Sequence, residues 1–161
     1  MKAIILTLIL VNGLLGIFNA QSCLQVTDPE KISNTTTIVA DKFATISNTC
    51  APWDGPALSI QISEKERDCD DKGKSDLMIS IWQSGTEVSG KTINLPDKKL
   101  GTISRVGADG KHEFATKGTV IFGKVEDESD VTFAVEIEFD DGDKMRGKFR
   151  AKRCKNDYIC G

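Results

Sequence analysis

Strict alternation of apolar and polar residues is the feature that most constrains the fold of this chain. In residues 131–139, Val, Phe, Val, Ile and Phe alternate with Thr, Ala, Glu and Glu, and residues 58–63 and 77–82 repeat the period of two. Successive side chains of a β-strand point to opposite faces, so this pattern predicts strands with one buried and one exposed face. No window of similar length keeps an apolar stripe at helical spacing.

Turn-forming residues separate these runs, at residues 52–56, 84–85, 109–110 and 140–142. About eight or nine strands at short intervals predict an all-β fold, an antiparallel β-sandwich or barrel. We expect residues 57–161 to form the core of the fold. Residues 21–56 are rich in Thr, Ser and Asn, and we expect a leading segment with one or two strands packed on the same domain.

The last hairpin, residues 131–154, can be predicted in register. A two-residue turn would place apolar residues opposite charged ones, whereas a three-residue loop over 140–142 keeps the faces matched and puts Gly142 in a left-handed conformation. That register sets Phe133 opposite Phe149 on the core side. On the outer side it pairs Glu138 with Lys144 and Glu136 with Arg146.

The N-terminus has the features of an export signal. Lys2 precedes an uncharged apolar stretch over residues 3–18, and small residues follow, which predicts a signal peptide over 1–20 with cleavage after Ala20 or Ser22. Loss of Lys2 leaves 20 of the 21 basic side chains against 24 acidic ones, a net charge of −4. We expect no transmembrane segment in the mature chain and, without a basic concentration, no nucleic-acid partner.

Five cysteines follow the apolar stretch: Cys23, Cys50, Cys69, Cys154 and Cys160. In an exported domain without a C-x-x-C pair they predict disulfides, and four of them allow three connectivities. We favour Cys69 with Cys154, because each closes a strand end, which leaves Cys50 for Cys160. Cys23 lies beside the cleavage region. It is either lipidated, anchoring the protein to the cell surface, or part of a tail as a free or disulfide-bonded thiol.

Catalytic and metal-binding patterns are sparse. His112 is the only histidine, either a general base or a solvated strand residue, and we assign no catalytic residue, cofactor or zinc site. Three clusters of acidic residues are typical of solvated turns. The alternative interpretation is a weak calcium site assembled between loops. The first resembles the start of a calcium loop, but Lys72 occupies a ligand position. The clusters are Asp68, Asp70, Asp71 and Asp76; Glu126, Asp127, Glu128 and Asp130; and Asp140, Asp141 and Asp143.

Trp53 lies in a Pro-rich loop over residues 51–56, beside Cys50. Its indole either contacts a sugar or protein partner or caps one end of the core. We expect Trp82, at a strand end, over the outer sheet face or the sheet edge. Asn34 begins a glycosylation sequon, which has meaning in a eukaryotic host.

Residues 139–154, with their Asp-Asp-Gly turn and basic strand ending in Cys154, resemble the ending of small exported bacterial β-domain proteins of unknown function. Residues 18–21 resemble export signals of such bacteria. The resemblance implies a secreted or cell-surface protein and transfers no functional residues. Together with the sparse chemistry, it favours a non-enzymatic domain that binds an extracellular protein or glycan or has a structural role. The alternative is a lipocalin-like carrier with a ligand inside the barrel, and a hydrolase has the least support.

Overall fold

A computed structural model of the chain describes residues 42–69, 75–107, 109–126, 129–155 and 160. The expected signal peptide over residues 1–20, Cys23 and the sequon at Asn34 lie outside these residues. The described residues form eight strands and one short helix, and the fold is all-β as predicted. In chain order the elements are β1 Phe43–Cys50, β2 Pro56–Ser63, β3 Leu77–Ile81, α1 Gly85–Val88, β4 Thr92–Leu95, β5 Gly101–Val106, β6 His112–Phe122, β7 Val131–Phe139 and β8 Lys144–Cys154.

Seven of the strands close into a barrel. Their order is β6-β5-β3-β2-β1-β8-β7, and pairing of β7 with β6 returns the sheet to its start. The long strand β6 pairs with β5 through residues 112–114 and with the extra strand β4 through residues 118–121. Of the two predicted architectures the fold is therefore the barrel, because the sheet closes on itself instead of facing a second sheet.

One strand pair departs from the predicted antiparallel arrangement. β1 and β8 run parallel, with Ala44 opposite Ala151 and Ser47 opposite Cys154. In a closed barrel with an odd number of strands, directions cannot alternate all the way round, so one parallel neighbour pair is required. β1 belongs to the segment predicted to lead into the core, residues 21–56, yet it is hydrogen-bonded on both sides as a full member of the barrel.

The predicted alternation fills the barrel with side chains. Phe133 stacks on Phe149 across β7 and β8, with ring centroids 5.5 Å apart. A Cβ added at Gly118 would lie 2.4 Å from Cδ1 of Ile103. One more methyl group at this level would therefore require Ile103 to move, and close packing of this kind stabilises the barrel.

The register predicted for the last hairpin is confirmed. Phe133 faces Phe149, while Glu136 pairs with Arg146 and Glu138 with Lys144 on the outer side. Gly142 has φ 88°, the left-handed conformation that a three-residue loop requires at this position.

Two disulfides join distant parts of the chain. Cys50 bonds Cys160, and Cys69 bonds Cys154, which is the connectivity favoured from the sequence. Cys50 ends β1 and Cys154 ends β8, so both disulfides hold the region where the first and last strands meet.

Candidate functional site

The loops of the barrel gather at two ends, which we name after one residue of each. The Trp53 end comprises the loop over residues 51–55, the segment over 82–91 that contains α1, and the connection between β6 and β7. The Arg105 end comprises the connections between β2 and β3 and between β5 and β6, and the turn over residues 140–143.

A tight turn holds Trp53. The backbone N–H of Ala51 donates to the carbonyl of Gly55 at 2.8 Å, and the N–H of Asp54 donates to the carbonyl of Ala51 at 2.9 Å. Asp54 has φ 61°, a left-handed conformation that Asp tolerates better than most residues. A Cβ at Gly55 would lie 2.9 Å from Nε1 of the indole, so glycine lets Trp53 fold back against its own loop. With the disulfide at Cys50, these contacts fix the indole.

Trp53 meets Trp82 in an edge-on contact. Their ring centroids lie 5.0 Å apart, and the ring planes are inclined by 77°. Such pairs contribute about 0.5–1.5 kcal/mol beyond the area that they bury. Trp82 directly follows β3 and donates its backbone N–H to the carbonyl of Leu100 at 2.9 Å. Trp53 nevertheless remains 55% exposed. The pair therefore forms a braced aromatic surface that neither tryptophan's position in the sequence predicts.

Arg153 is partly buried at the Trp53 end, where it has few partners. It lies opposite Ile46, so its position is in phase with the core side of β8. Nη1 donates to Oδ1 of Asn48 at 3.4 Å and Nη2 to the carbonyl of Glu126 at 3.3 Å, both long and both to neutral acceptors. Nε is buried and makes no hydrogen bond. Leaving such a donor unpaired costs about 1–3 kcal/mol.

Gln83 also carries a buried unpaired atom. Its Oε1 is inaccessible to solvent and has no donor. Gln83 directly follows Trp82 in the chain, so both orphan atoms found among the described side chains belong to the Trp53 end. Most buried polar atoms in folded proteins are paired, so this concentration marks the end as incompletely satisfied.

Arg105 closes the opposite end of the barrel. Its guanidinium carbon lies 4.1 Å from the ring centroid of Phe139, a cation–π contact. Nε donates to Glu113 at 2.7 Å and Nη1 to Asp143 at 2.8 Å, while Nη2 pairs with Asp141. The hydrogen bonds to Glu113 and then to Asp143 raise the pKa of Arg105 above its ordinary value. In contrast to Arg153, every nitrogen of this guanidinium has an anionic partner.

Asp141 is held in its ionised form at the same end. Its carboxylate accepts the backbone N–H of Asp143 at 3.0 Å, which is the larger cause of a lowered pKa, and the Arg105 guanidinium lowers the pKa further. The acidic turn predicted from the sequence is thus organised around Arg105, which was not among the predicted site residues.

Three surface grooves share Arg105. The largest has a volume of about 710 Å³, and its lining includes apolar Leu77, Val106, Phe139 and Met145 together with acidic Asp76. A smaller groove of about 230 Å³ is lined by His112 together with Ser75 and Ser104. Among the hydrogen bonds and ion pairs of the described residues, none joins His112 to a carboxylate.

The acidic clusters are dispersed into local contacts. Asp76 accepts the N–H of Glu64 at 2.7 Å, Glu126 pairs with Lys124 at 2.7 Å, and Asp130 lies 3.6 Å from Arg150. Within the described part of the chain, no three His, Cys, Asp or Glu side chains are grouped so as to hold a metal ion. Asp70, Asp71, Asp127 and Glu128 lie outside the described residues.

The alternating pattern of their strands could have identified Arg105 and Arg153 as inward-facing residues. Each continues the inward phase of its strand, Arg105 after Ile103 and Arg153 after Ala151. A charged residue at an apolar phase position near a strand end indicates a side chain that caps the core.

In the described residues, no helix has the length and apolar character needed to span a membrane. Comparison with known protein families, curated proteins and solved structures finds no match to this chain.

Proposed function

We propose that this protein is an exported, non-enzymatic barrel that binds a glycan through the Trp53 end. The observation that carries the proposal is the braced indole of Trp53, 55% exposed in a turn fixed by two backbone hydrogen bonds and a disulfide. An aromatic side chain that is already immobilised loses little conformational entropy when a ligand covers it.

The surroundings of Trp53 favour a sugar over a protein partner. Stable protein interfaces bury about 800 Å² on each partner and are anchored by several aromatic or arginine side chains. The other two large apolar side chains that are exposed in the described residues, Phe43 and Phe114, lie at the Arg105 end. A small aromatic surface formed by the exposed indole of Trp53 against Trp82 suits the C–H face of one pyranose ring, and exposed Asp54 follows Trp53 in the same loop.

Export is part of the same proposal. Two disulfides that link distant segments suit an oxidising compartment, and the apolar N-terminus with its small-residue ending supports secretion. The resemblance of the C-terminal hairpin to exported bacterial β-domains points the same way. Lipidation of Cys23 would hold the domain at a cell surface, whereas cleavage after Ala20 would release it.

Glycan binding is tested by titrating the purified barrel with soluble oligosaccharides while following tryptophan fluorescence, after a screen on a glycan array. We expect Trp53→Ala to abolish binding because the stacking surface is removed. Phe43→Ala is the matched control, since it deletes an exposed aromatic ring at the opposite end. Equal binding by wild type and Trp53→Ala, or no glycan bound by wild type, would overturn the proposal.

A second candidate function is a small-ligand carrier. The groove of about 710 Å³ at the Arg105 end favours it, because ligand sites usually measure about 300–1,000 Å³. The ligand would sit at the mouth of the barrel, because the residues that line this groove, among them Leu77, Phe139 and Met145, lie at the Arg105 end. Binding of an apolar fluorescent probe that Val106→Trp blocks and Trp53→Ala leaves intact would favour this function over glycan recognition.

A further inference from the structure

We propose that Arg153 is an anion-binding residue, and that the glycan recognised at the Trp53 end contains a uronic acid whose carboxylate pairs with its guanidinium. This inference rests on the proposed glycan binding and adds the class of sugar.

The charge of Arg153 has no anionic partner among the described residues. A guanidinium offers five N–H donors, and no carboxylate among the described residues forms an ion pair with this one. Its two hydrogen bonds run to neutral oxygens of Asn48 and Glu126 at 3.4 and 3.3 Å, longer than charge-assisted bonds usually are. A partly buried cation with weak neutral partners is stabilised when an anion arrives.

The two inward arginines of the barrel differ in their partners. Arg105 sits in an equivalent inward position at the other end of the barrel, and Glu113, Asp141 and Asp143 take up its three nitrogens. The fold thus provides full anionic pairing for one arginine cap. At Arg153 the orphan Nε shows that a comparable partner is missing from the described residues. A ligand carboxylate supplies it in the planar geometry that suits the guanidinium fork.

Arg153 lies at the same end of the barrel as the aromatic pair of Trp53 and Trp82. A Cβ added at Gly85 would lie 3.5 Å from Nη2 of Arg153, so this part of the chain faces the guanidinium. Trp82 is only three residues from Gly85, at most about 11 Å along the backbone. Trp53 contacts Trp82 directly. A short oligosaccharide can therefore stack one ring on Trp53 and extend a charged ring towards Arg153.

The test uses the full mature barrel and two forms of one sugar. Trigalacturonic acid carries three carboxylates, and its trimethyl ester is the neutral counterpart of the same size. Affinity is measured by calorimetry at low salt, and the Nε–Hε resonance of Arg153 is followed by NMR. We expect the acid to bind more tightly than the ester and to shift the Arg153 resonance, and we expect 0.5 M NaCl to weaken acid binding.

Variants separate this proposal from its foundation. Arg153→Gln should weaken binding of the acid by about 10- to 100-fold, because a charge-assisted hydrogen bond is lost, and should leave ester binding within about twofold. Arg150→Gln is the matched control, since Arg150 lies three residues away on the same strand and is exposed. Trp53→Ala should abolish binding of both forms. Thermal denaturation of each variant checks that it folds.

The binding results distinguish failure of the uronate proposal from failure of the proposed glycan binding. Equal affinity for acid and ester, or an unchanged Arg153 resonance, would overturn the uronate proposal while leaving glycan binding intact. Absence of binding by both forms, together with a negative array, would overturn the proposed function itself. Asp127→Asn with Glu128→Gln removes the acidic residues that follow Glu126 in sequence. If the acid bound only to that double variant, the chain's own carboxylates would be the partners of Arg153, and the proposal would be wrong.

Discussion

The two ends of the barrel are held together by different interactions. At the Arg105 end, an inward arginine covers Phe139 and is paired with three carboxylates. At the Trp53 end, an inward arginine has two long bonds to neutral oxygens, and the end is tied by the disulfide between Cys50 and Cys160. One end is thus held by complementary charge, and the other by a covalent bond.

This contrast separates stability from recognition. A fully paired guanidinium holds its neighbours in place and offers little to a ligand, because any new partner must displace an existing one. A poorly paired guanidinium at the same end of the barrel as a braced tryptophan contributes less to folding and can offer more to a ligand. The disulfide between Cys50 and Cys160 ties the Trp53 end covalently, so this end is held by more than its arginine.

The largest expected effect concerns the covalent tie. Cys50→Ser with Cys160→Ser should lower the free energy of unfolding by about 2–5 kcal/mol, because the disulfide closes a long loop in the unfolded chain. Urea denaturation followed by far-ultraviolet circular dichroism measures the change. If the double variant were as stable as wild type, the Trp53 end would not depend on its covalent tie.

A smaller loss is expected for the charged cap. Arg105→Met should lower the free energy of unfolding by about 1 kcal/mol, since the half-exposed carboxylates of Glu113, Asp141 and Asp143 would be left without their shared cation next to apolar Phe139. The same urea assay applies, with Arg146→Met as an exposed control on β8. A loss no greater than that of the control would show that the network does not stabilise this end.

The stability of the fold at low pH should depend on the carboxylate of Asp141 at the Arg105 end. Because the folded state lowers the pKa of Asp141, its carboxylate stabilises the fold above its unfolded pKa of about 3.9, and that contribution disappears as the pH falls through the lower folded pKa. Asp141→Asn should therefore flatten the fall in melting temperature below about pH 4. Arg105→Met should flatten it less, because the backbone N–H of Asp143 remains. Identical acid profiles for wild type and Asp141→Asn would contradict this assignment.

The smallest change in the free energy of unfolding is expected for substitution of Arg153. Arg153→Met should change the free energy of unfolding by less than about 0.5 kcal/mol, because it removes an unpaired buried donor along with two long hydrogen bonds. Arg105→Met is the matched comparison, and the free energy of unfolding is measured for both variants in the same urea assay. Equal destabilisation by the two substitutions would remove the distinction between the ends.

Local pattern was enough to predict some of these features. The register of the β7–β8 hairpin follows from alternation and one glycine, since a shift by a single residue would turn Phe149 towards solvent. The closure between β1 and β8 joins residues about a hundred positions apart in sequence, and nothing in either strand specifies the other. Closure also makes β1, expected in a leading segment, part of the core.

The candidate site was predicted less completely. Trp53 is conspicuous because a rigid Pro-flanked loop carries it, but its contact with Trp82 depends on two connections that converge only in the folded barrel. The partners of Arg105 come from β6 and from the turn over residues 140–143, and chain order does not bring them together. The phase of an arginine within its strand can be read from sequence, whereas the number of carboxylates around it cannot.

The parallel pairing of β1 with β8 has a consequence for biogenesis. A polypeptide that emerges from a ribosome or a translocon delivers β1 first, and the strand needed to complete its second edge arrives last. Until then β1 presents an open hydrogen-bonding edge to neighbouring chains. Shortening the protein at its C-terminus should therefore leave this edge open in the finished chain and make the chain prone to aggregation.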